Sequence, residues 1–255
     1  EAWFKPLAGF KDRLYAELLA RIKEDDEAVP YRKRGYWYSN RTEKGKQYAT
    51  TLRRQGTLDA PEQVMLDMNQ LAAGKPFLQL GASAVSPDSK LLAYSLDETG
   101  ALDYTLYVKN LDDGSLLPLK IEKTAGVAWA NDNKTLFYLT KDAAKRTSTV
   151  WRHVLGQKGP DTLVYEDRNE QFWVDLHKTR DERYLVIGSE SKDTSELRVI
   201  DADKPASRMR IVLPRKKGRE ASLDHRDGRF YLRVNDTGRN FRLVSVPAAT
   251  HALAG

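Results

Sequence analysis

The chain contains no cysteine among its 255 residues. This absence excludes a disulfide-stapled scaffold, a zinc site built on cysteine and a catalytic thiol. No apolar stretch approaches the roughly 20 residues that a membrane-spanning helix needs, so we expect no membrane partner. The sequence also lacks a G-x-G-x-x-G string and a Walker loop, so no motif indicates that the chain binds a nucleotide cofactor.

The net charge of +6 comes from 42 basic and 36 acidic residues that are spread along the chain. Short basic clusters occur at Arg32–Arg34, Arg53–Arg54 and Arg215–Lys217, and the acidic run Glu24–Glu27 precedes the first of them. Nucleic-acid-binding proteins instead concentrate positive charge on one element and interleave aromatic residues that stack on bases. We therefore expect no nucleic-acid partner, and binding of a polyanion is the weakest functional hypothesis.

The first 29 residues predict a short helical arm. Apolar residues recur at helical spacing, at Phe10, Leu14, Leu18, Leu19 and Ile22. The acidic run and Val29-Pro30 end this pattern, because a proline disfavours helical geometry in the residue before it. We expect the arm, residues 1–29, to pack against a neighbouring domain rather than to act in catalysis.

The rest of the chain repeats a turn that carries an aspartate, with Lys or Arg two residues later and then an apolar strand. The aspartates are Asp88, Asp132, Asp181 and Asp227, at intervals of 44, 49 and 46 residues. A shorter strand precedes each turn, a further strand follows, and a fourth closes each of the first three units. Four short strands per unit of about 45 residues predict the blades of a β-propeller. We expect each turn aspartate to accept hydrogen bonds from backbone N–H groups.

An earlier, less regular unit raises the number of blade-like units to five. The predicted units span about residues 30–75, 76–120, 121–166, 167–214 and 215–255. The predicted fold is therefore all-β, a partial β-propeller over residues 30–255 preceded by a short N-terminal helix.

The sequence offers no catalytic constellation. The string nearest to the G-x-S-x-G elbow of serine hydrolases is Gly81-Ala82-Ser83-Ala84-Val85, which lacks the second glycine and precedes a strand. The four histidines show no metal-ligand spacing, and they are His153, His177, His225 and His251. Three N-x-T strings begin at Asn40, Asn133 and Asn235, and they matter only in a glycosylating secretory pathway. We predict no catalytic, cofactor-binding or metal-ligating residue in this chain.

Longer stretches carry a family resemblance. The most specific are Val29–Tyr38, VPYRKRGYWY, and Arg41–Tyr48, RTEKGKQY. Weaker matches occur at Leu58–Glu62, Val85–Asp88 and Leu223–Asp227. On these stretches the chain resembles the prolyl oligopeptidase family of serine peptidases, and within that family the oligopeptidase B branch.

The resemblance implies a seven-bladed propeller that caps an α/β-hydrolase domain of the same polypeptide. In the family that domain follows the propeller and carries the Ser, His and Asp. The resemblance thus implies a parent enzyme that cleaves short peptides after basic residues, with the propeller restricting access. The resemblance favours a cytoplasmic location. The periplasm is the second expectation, because the sequence starts at Glu1 rather than Met. No catalytic residue of the family maps onto this chain, so we expect the segment alone to be inactive.

The alternative hypothesis is a stand-alone propeller that binds a protein or peptide without catalysis. Fold cannot separate the two, because propellers serve many functions. Five units do not close a ring made for seven, and open blade faces and strand edges invite pairing. We therefore expect the chain to belong to a longer polypeptide or to complete itself against another chain.

Overall fold

The computed structural model describes residues 7–249. The chain divides into two compact units, Glu1–Gly74 and Lys75–Gly255. Antiparallel strands dominate both units, as the spacing of turn residues predicts. Among residues 7–249, no helix is long and apolar enough to span a bilayer.

The predicted N-terminal helix is present as α1 (Ala8–Leu19). It ends before the apolar pattern does, because Ile22 lies beyond the helix in the bend that follows. No side chain of α1 is buried, and Phe10 and Leu18 are each more than half exposed. Leu7 at the N-cap offers no side-chain oxygen to the free N–H groups of the first turn. A 12-residue helix without capping or packing is marginal in water, so the exposed stripe is the feature that needs a partner.

The rest of the first unit is a five-stranded antiparallel sheet, the first blade. Its elements are β1 (Asp26–Glu27), β2 (Tyr31–Lys33), β3 (Tyr36–Thr42), β4 (Thr50–Gln55), β5 (Glu62–Asp67) and α2 (Met68–Leu71). The strand order is β1-β3-β4-β5, and β2 pairs with the opposite end of β3. The sequence pattern predicts strands at Tyr36–Ser39, Tyr48–Arg53 and Val64–Leu66, which correspond to β3, β4 and β5, whereas β1 and β2 are additional strands.

Strand β1 forms from the acidic run, which the sequence pattern treats only as the end of the helix. Glu27 accepts hydrogen bonds from Arg54 Nη1 at 2.8 Å, Ser39 Oγ at 2.6 Å and Arg41 Nη2 at 3.2 Å. Both arginines also bind Glu62 on β5. The hydrogen bonds from Arg54 and Ser39 lower the pKa of Glu27 from 4.5 to about 2. This network fastens β1 to the first blade.

The second unit contains the remaining strands. They are β6 (Gln79–Val85), β7 (Leu91–Asp97), β8 (Tyr104–Asn110), β9 (Leu116–Trp129), β10 (Thr135–Lys141), β11 (Thr147–Val154), β12 (Thr162–Glu166), β13 (Trp173–Lys178), β14 (Tyr184–Glu190), β15 (Ser195–Asp201), β16 (Arg210–Leu213), β17 (Ala221–Arg226), β18 (Arg229–Val234) and β19 (Arg242–Pro247). The 14-residue β9 closes the second blade and opens the third, so the sheet from β6 to β12 is continuous. Strands β13–β16 form the fourth blade and β17–β19 the fifth.

Three apolar cores lie between successive blades of the second unit. Blades two and three share a cluster with Leu106 and Leu136, and blades three and four share one with Phe137 and Ile187. Blades four and five share a third cluster that contains Phe230. Each strand thus sends alternate side chains to opposite neighbours, which explains why the central strands are almost continuously apolar.

Three of the four repeated aspartates act as predicted. Asp88, Asp132 and Asp181 each accept a hydrogen bond from the backbone N–H two residues later, at 3.0–3.2 Å. The prediction is wrong for Asp227. This residue and Gly228 both have positive φ, of 49° and 72°, and form the two-residue loop between β17 and β18. The geometry is that of a type I′ hairpin, in which backbone conformation rather than the carboxylate makes the turn.

Candidate functional site

Ser83, the residue nearest to a serine elbow, lies inside β6 and pairs with Tyr94 of β7. Gly81 is required by packing, because an added Cβ would lie 2.5 Å from Tyr104 Cδ1 and 2.6 Å from Ser95 Oγ. A nucleophile elbow instead places its serine on a sharp turn between a strand and a helix. This segment therefore serves the second blade.

Each of the three described histidines is paired with an aspartate through Nδ1. The distances are 2.7 Å for His153–Asp161, 2.8 Å for His177–Asp175 and 2.6 Å for His225–Asp181. His251 lies outside the described residues. An aspartate on Nδ1 orients the ring and leaves Nε2 as the atom that can accept a proton, as in serine hydrolases. The pairs supply only a base and its orienting acid, and a nucleophile would have to join them.

The His225–Asp181 pair joins the fourth and fifth blades. His225 is 7% exposed and lies on β17, and its ring contacts Tyr184 and Phe230 with centroids 4.8 and 5.3 Å away. Burial acts to raise the pKa of Asp181, but hydrogen bonds from His225, Thr179 and a backbone N–H outweigh it and lower that pKa. His225 Nε2 is buried and has no hydrogen-bond partner. A buried nitrogen without a partner is unusual enough to need an explanation.

The His177–Asp175 pair lies on the exposed face of β13. Residues of this strand alternate, so that Val174 and Leu176 enter the core while Asp175 and His177 stay 63% and 45% exposed at their side chains. Their hydrogen bond lowers the pKa of Asp175 and raises that of His177, and the charges of Asp224 and Glu190 add to the latter. His177 therefore lies close to three carboxylates, those of Asp175, Asp224 and Glu190.

An open cleft of about 640 Å³ lies where β13 and β17 end. It is lined by Arg180, Asp181, Asp224, His225, Arg226, Asp227 and Tyr231. The Arg180 N–H donates to Asp224 Oδ1 at 2.8 Å, which ties the turn after β13 to β17. The cleft thus contains the His225–Asp181 pair in a wall built by two blades.

Within residues 7–249, no group of three or more His, Asp or Glu side chains has the arrangement needed to hold a metal ion. The arginines of two basic clusters contact groups within their own compact unit. Arg53 is 1% exposed and its guanidinium lies 4.2 Å from the Tyr36 ring. Arg215 binds the carboxylate of Asp167, and its guanidinium lies 3.6 Å from the Phe172 ring. Arginines held in this way offer little to a polyanion.

The asparagines of the N-x-T strings also make structural contacts. Asn40 Oδ1 accepts from Thr51 Oγ1 at 2.9 Å, and Asn133 Oδ1 accepts from the Asp88 N–H at 2.8 Å. Asn235 Oδ1 accepts from the Glu220 N–H at 2.7 Å. Asn40 thus contacts its partner on the neighbouring strand β4, whereas Asn133 and Asn235 connect loop segments, and all three contacts are structural.

Sequence reasoning did not identify the histidine pairs. Asp175 and His177 were detectable, because residues two apart on a strand share a face. Asp181 and His225 are separated by 44 residues, which is also the shortest interval of the repeat. The repeat period relates some of the cleft residues to one another, but it does not show that they line a cleft.

Comparison with known proteins agrees with this architecture. Residues 1–253 match the family model described as "Prolyl oligopeptidase, N-terminal beta-propeller domain". Dipeptidyl aminopeptidase BI of Pseudoxanthomonas mexicana is 38% identical over 97% of this chain and 37% of its own length. Protease 2 of Moraxella lacunata is 29% identical over 95% of this chain and 36% of its own length.

Among solved structures, oligopeptidase B from Leishmania major superposes with a TM-score of 0.91 at 33% identity, over 97% of this chain and 36% of that one. Oligopeptidase B from Trypanosoma brucei, with covalently bound antipain, gives a TM-score of 0.87 at 30% identity over 96% and 35%. The chain thus spans little more than a third of the relatives that it matches. The blade-like sheets and the short N-terminal helix confirm the predicted fold class. The chain belongs to the prolyl oligopeptidase family and corresponds to the N-terminal β-propeller domain of that family.

Proposed function

We propose that this chain is the N-terminal propeller portion of an oligopeptidase B-like serine peptidase that cleaves short peptides after basic residues. The observation that carries the proposal is the match of nearly the whole chain to a propeller domain, within relatives of which it covers only 37% and 36%. An α/β-hydrolase domain of the same polypeptide would supply the nucleophile, and the propeller would limit access to it.

The side-chain geometry supports a non-catalytic role for this portion. A general base must lie within about 3 Å of the hydroxyl that it activates. In residues 7–249, the histidine side chains form hydrogen bonds only through Nδ1, to aspartates, so no Nε2 is hydrogen-bonded to a hydroxyl. We therefore expect the 255-residue chain alone to leave arginine amides intact.

The proposal is tested with two proteins, the 255-residue chain and the product of the whole reading frame that encodes it. Both are incubated with fluorogenic dipeptide amides that carry Arg or Pro before the scissile bond. We expect hydrolysis by the longer product only, with Arg preferred and with loss of turnover after treatment by a serine-reactive phosphonate. A reading frame without a downstream G-x-S-x-G motif, or a preference for Pro, would contradict the proposal.

The gating role has its own test. Peptides of increasing length with one central Arg are compared with a folded protein that exposes Arg on its surface. We expect the longer product to cleave the short peptides and to leave the folded protein uncut until that protein is denatured. Equal rates on the folded and denatured forms would refute gating while leaving the peptidase assignment in place.

We also propose that the exposed stripe of α1 contacts the catalytic portion of the same polypeptide. Replacing Phe10 and Leu18 by Ser should lower the thermal stability of the longer product and leave that of the 255-residue chain unchanged. Ala16→Ser, on the opposite side of the helix, is the matched control. A double variant that destabilises both proteins equally would show that the stripe serves the first unit itself.

The same family likeness leads us to propose a cytoplasmic location, with the periplasm as the alternative. Fractionation of source cells, with detection by an antibody against this chain, distinguishes the two. Recovery in an osmotic-shock fluid would favour the periplasm.

A further inference from the structure

The chain contains two Asp-Gly bonds, Asp113-Gly114 and Asp227-Gly228, and no Asn-Gly bond. An aspartate that precedes glycine is prone to convert to isoaspartate without an enzyme, because glycine has no side chain to shield its amide nitrogen from the neighbouring carboxyl carbon. Both bonds lie in exposed loops. The contacts within each loop therefore decide which of the two bonds reacts.

The conversion proceeds through a succinimide ring. The glycine nitrogen attacks Cγ of the protonated aspartate, a C–N bond forms, the C–OH bond breaks, and the hydroxyl leaves as water with the amide proton. Water then adds to one of the two ring carbonyls. Opening at the main-chain carbonyl leaves the peptide joined through Cγ with a free α-carboxylate, whereas opening at Cγ restores aspartate. One water is lost and one is gained, so the reaction needs no other reactant.

The loop of Asp227 and Gly228 leaves both reacting groups accessible. These residues form the two-residue tip between β17 and β18, with φ of 49° and 72°. Across residues 7–249, no atom accepts a hydrogen bond from the Gly228 N–H. The Asp227 side chain is 85% exposed, and its ion pair with Arg226 Nε, at 3.4 Å, is also exposed. Solvent screening makes such a pair weak, so it does little to hold the carboxylate.

The hairpin can also reach the geometry that ring closure requires. A planar succinimide needs ψ of about −120° at the aspartate, which is the value of the first loop residue in a type II′ turn. Rotation of the single peptide unit between Asp227 and Gly228 converts type I′ into type II′, and both turns join the same two strands. Because the Gly228 N–H has no bond to break, the contacts of this peptide unit do not oppose the rotation.

The loop of Asp113 and Gly114 is tied at both reacting groups. The Gly114 N–H donates to the Asn110 carbonyl at 2.9 Å, and rotation of the peptide unit would break this bond. Asp113 Oδ1 accepts from the Ser115 N–H at 2.8 Å and from Ser115 Oγ at 2.6 Å. These bonds also lower the pKa of Asp113, which favours the ionised form that lacks a leaving hydroxyl. All three contacts oppose ring closure.

We propose that Asp227 is a site of spontaneous isoaspartate formation, and that the fold directs the reaction to this Asp-Gly bond and away from Asp113-Gly114. The reactants are the chain itself and water. The proposal is independent of the proposed peptidase function, because it requires no catalytic residue and no peptide substrate.

The modification has a structural consequence for the fifth blade. Isoaspartate adds one carbon atom to the main chain between β17 and β18. The Gly228 carbonyl accepts a hydrogen bond from the Ala248 N–H at 2.7 Å. Ala248 is 6% exposed and belongs to the core shared by blades four and five. We expect the lengthened loop to displace this carbonyl and to loosen the end of β19.

The test compares the two bonds in one protein. The 255-residue chain is kept for several weeks at mildly acidic pH and then digested. Mass spectrometry with electron-transfer fragmentation distinguishes isoaspartate from aspartate at each position. We expect at least about five times more isoaspartate at Asp227 than at Asp113, because only the latter loop must open first. Equal yields, or more isoaspartate at Asp113, would overturn the proposal.

The same incubation in urea is the matched control. Unfolding removes the contacts of both loops, so the two yields should then differ by less than about 2-fold. An equal preference for Asp227 in the folded and the unfolded chain would show that the neighbouring residues, rather than the fold, direct the reaction, and would contradict the inference.

A pair of substitutions provides an independent measurement. Total isoaspartate is counted by the labelled methyl group that an isoaspartyl methyltransferase transfers from S-adenosylmethionine to the α-carboxylate. Asp227→Glu should lower the count by at least about 3-fold, because the longer side chain does not form the succinimide, and Asp113→Glu should change it by less than about 2-fold. Hydrogen exchange at the Ala248 N–H should become faster in the incubated chain but not in incubated Asp227→Glu. An unchanged methyl count in Asp227→Glu would refute the site, and unchanged exchange at Ala248 would refute the loosening of β19.

Discussion

Replacing Glu27 by Gln should destabilise the first unit, because this carboxylate fastens β1 to the rest of the blade. Glu27 receives hydrogen bonds from Arg54, Ser39 and Arg41. Gln keeps an acceptor oxygen but loses the charge, and both guanidiniums would then depend on Glu62 alone. The loss therefore lies mainly in the charge-assisted part of the network.

The magnitude follows from the pKa of Glu27. A fall from 4.5 to about 2 is roughly 2.5 pH units, and at 1.36 kcal/mol per unit this amounts to about 3.4 kcal/mol. The side chain is 28% exposed, and solvent and salt weaken partly exposed ion pairs. We therefore expect Glu27→Gln to lower the free energy of unfolding by about 1–2 kcal/mol at pH 7.

The dependence on pH has a definite sign. The pKa of Glu27 is lower in the folded state, so its stabilisation is complete above the unfolded value of 4.5 and disappears as the pH falls through about 2. At pH 3, less than about half of the difference in unfolding free energy between the unsubstituted chain and Glu27→Gln should remain. Urea unfolding of both proteins between pH 7 and pH 3, followed by circular dichroism, measures this difference.

Glu43→Gln provides the control, because Glu43 forms only an exposed ion pair with Lys46 at 2.7 Å. Such pairs contribute little, and we expect a change within about 0.5 kcal/mol at pH 7. A loss in Glu27→Gln that stays constant from pH 6 to pH 3, or an equal loss in the control, would refute the electrostatic account of β1.

Three further substitutions probe the second unit by thermal or urea unfolding. Gly81→Ala should lower the free energy of unfolding by about 1–3 kcal/mol, since its methyl group would lie 2.5–2.6 Å from the Tyr104 ring and the Ser95 hydroxyl. Gly9→Ala in α1 is the control, because no atom lies within 4 Å of the added methyl group, and it should be neutral or stabilising. Equal effects of the two substitutions would contradict the packing argument. Asn133→Ala should cost about 1–2 kcal/mol by removing the acceptor of the Asp88 N–H at a residue with φ of 59°. Ser83→Ala should stay within about 0.5 kcal/mol, and a larger loss would indicate a role that its place in β6 does not explain.

The blades were predictable because their determinants are local. Asp88 and Asp132 bond to their own turns, and the following strands are apolar in the sequence. The continuity of β9 was not predictable from turn residues. Between Leu116 and Trp129 the chain crosses from one blade to the next with a single residue in the left-handed region, Lys123 with φ of 57°. The repeat pattern assigns Leu116–Leu119 to one unit and Val127–Trp129 to the next, so it predicts two separate strands where the structure has one.

Strand β1 was not predictable for a different reason. Asp26 and Glu27 favour solvent, and the ion pairs that hold β1 to the sheet join Glu27 to Arg41 and Arg54, 14 and 27 residues further along the chain. Ion-pair partners at such distances carry no periodic signal in a sequence. The same limit applies to the carboxylates close to His177, which are Asp175 on β13, Glu190 on β14 and Asp224 on β17.

The contacts between blades, by contrast, follow a rule that the repeat itself contains. In four cases a residue of one blade contacts a residue about one repeat later: Trp129 donates to the Ala84 carbonyl, the Asp88 N–H to Asn133, the Arg180 N–H to Asp224, and His225 pairs with Asp181. The separations are 45, 45, 44 and 44 residues. A fixed period places equivalent turns side by side, so a polar residue at one turn can be matched to its neighbour from the amino-acid sequence alone. The period identifies which residues meet. Only the three-dimensional arrangement adds that His225 is buried there and that its Nε2 has no hydrogen-bond partner.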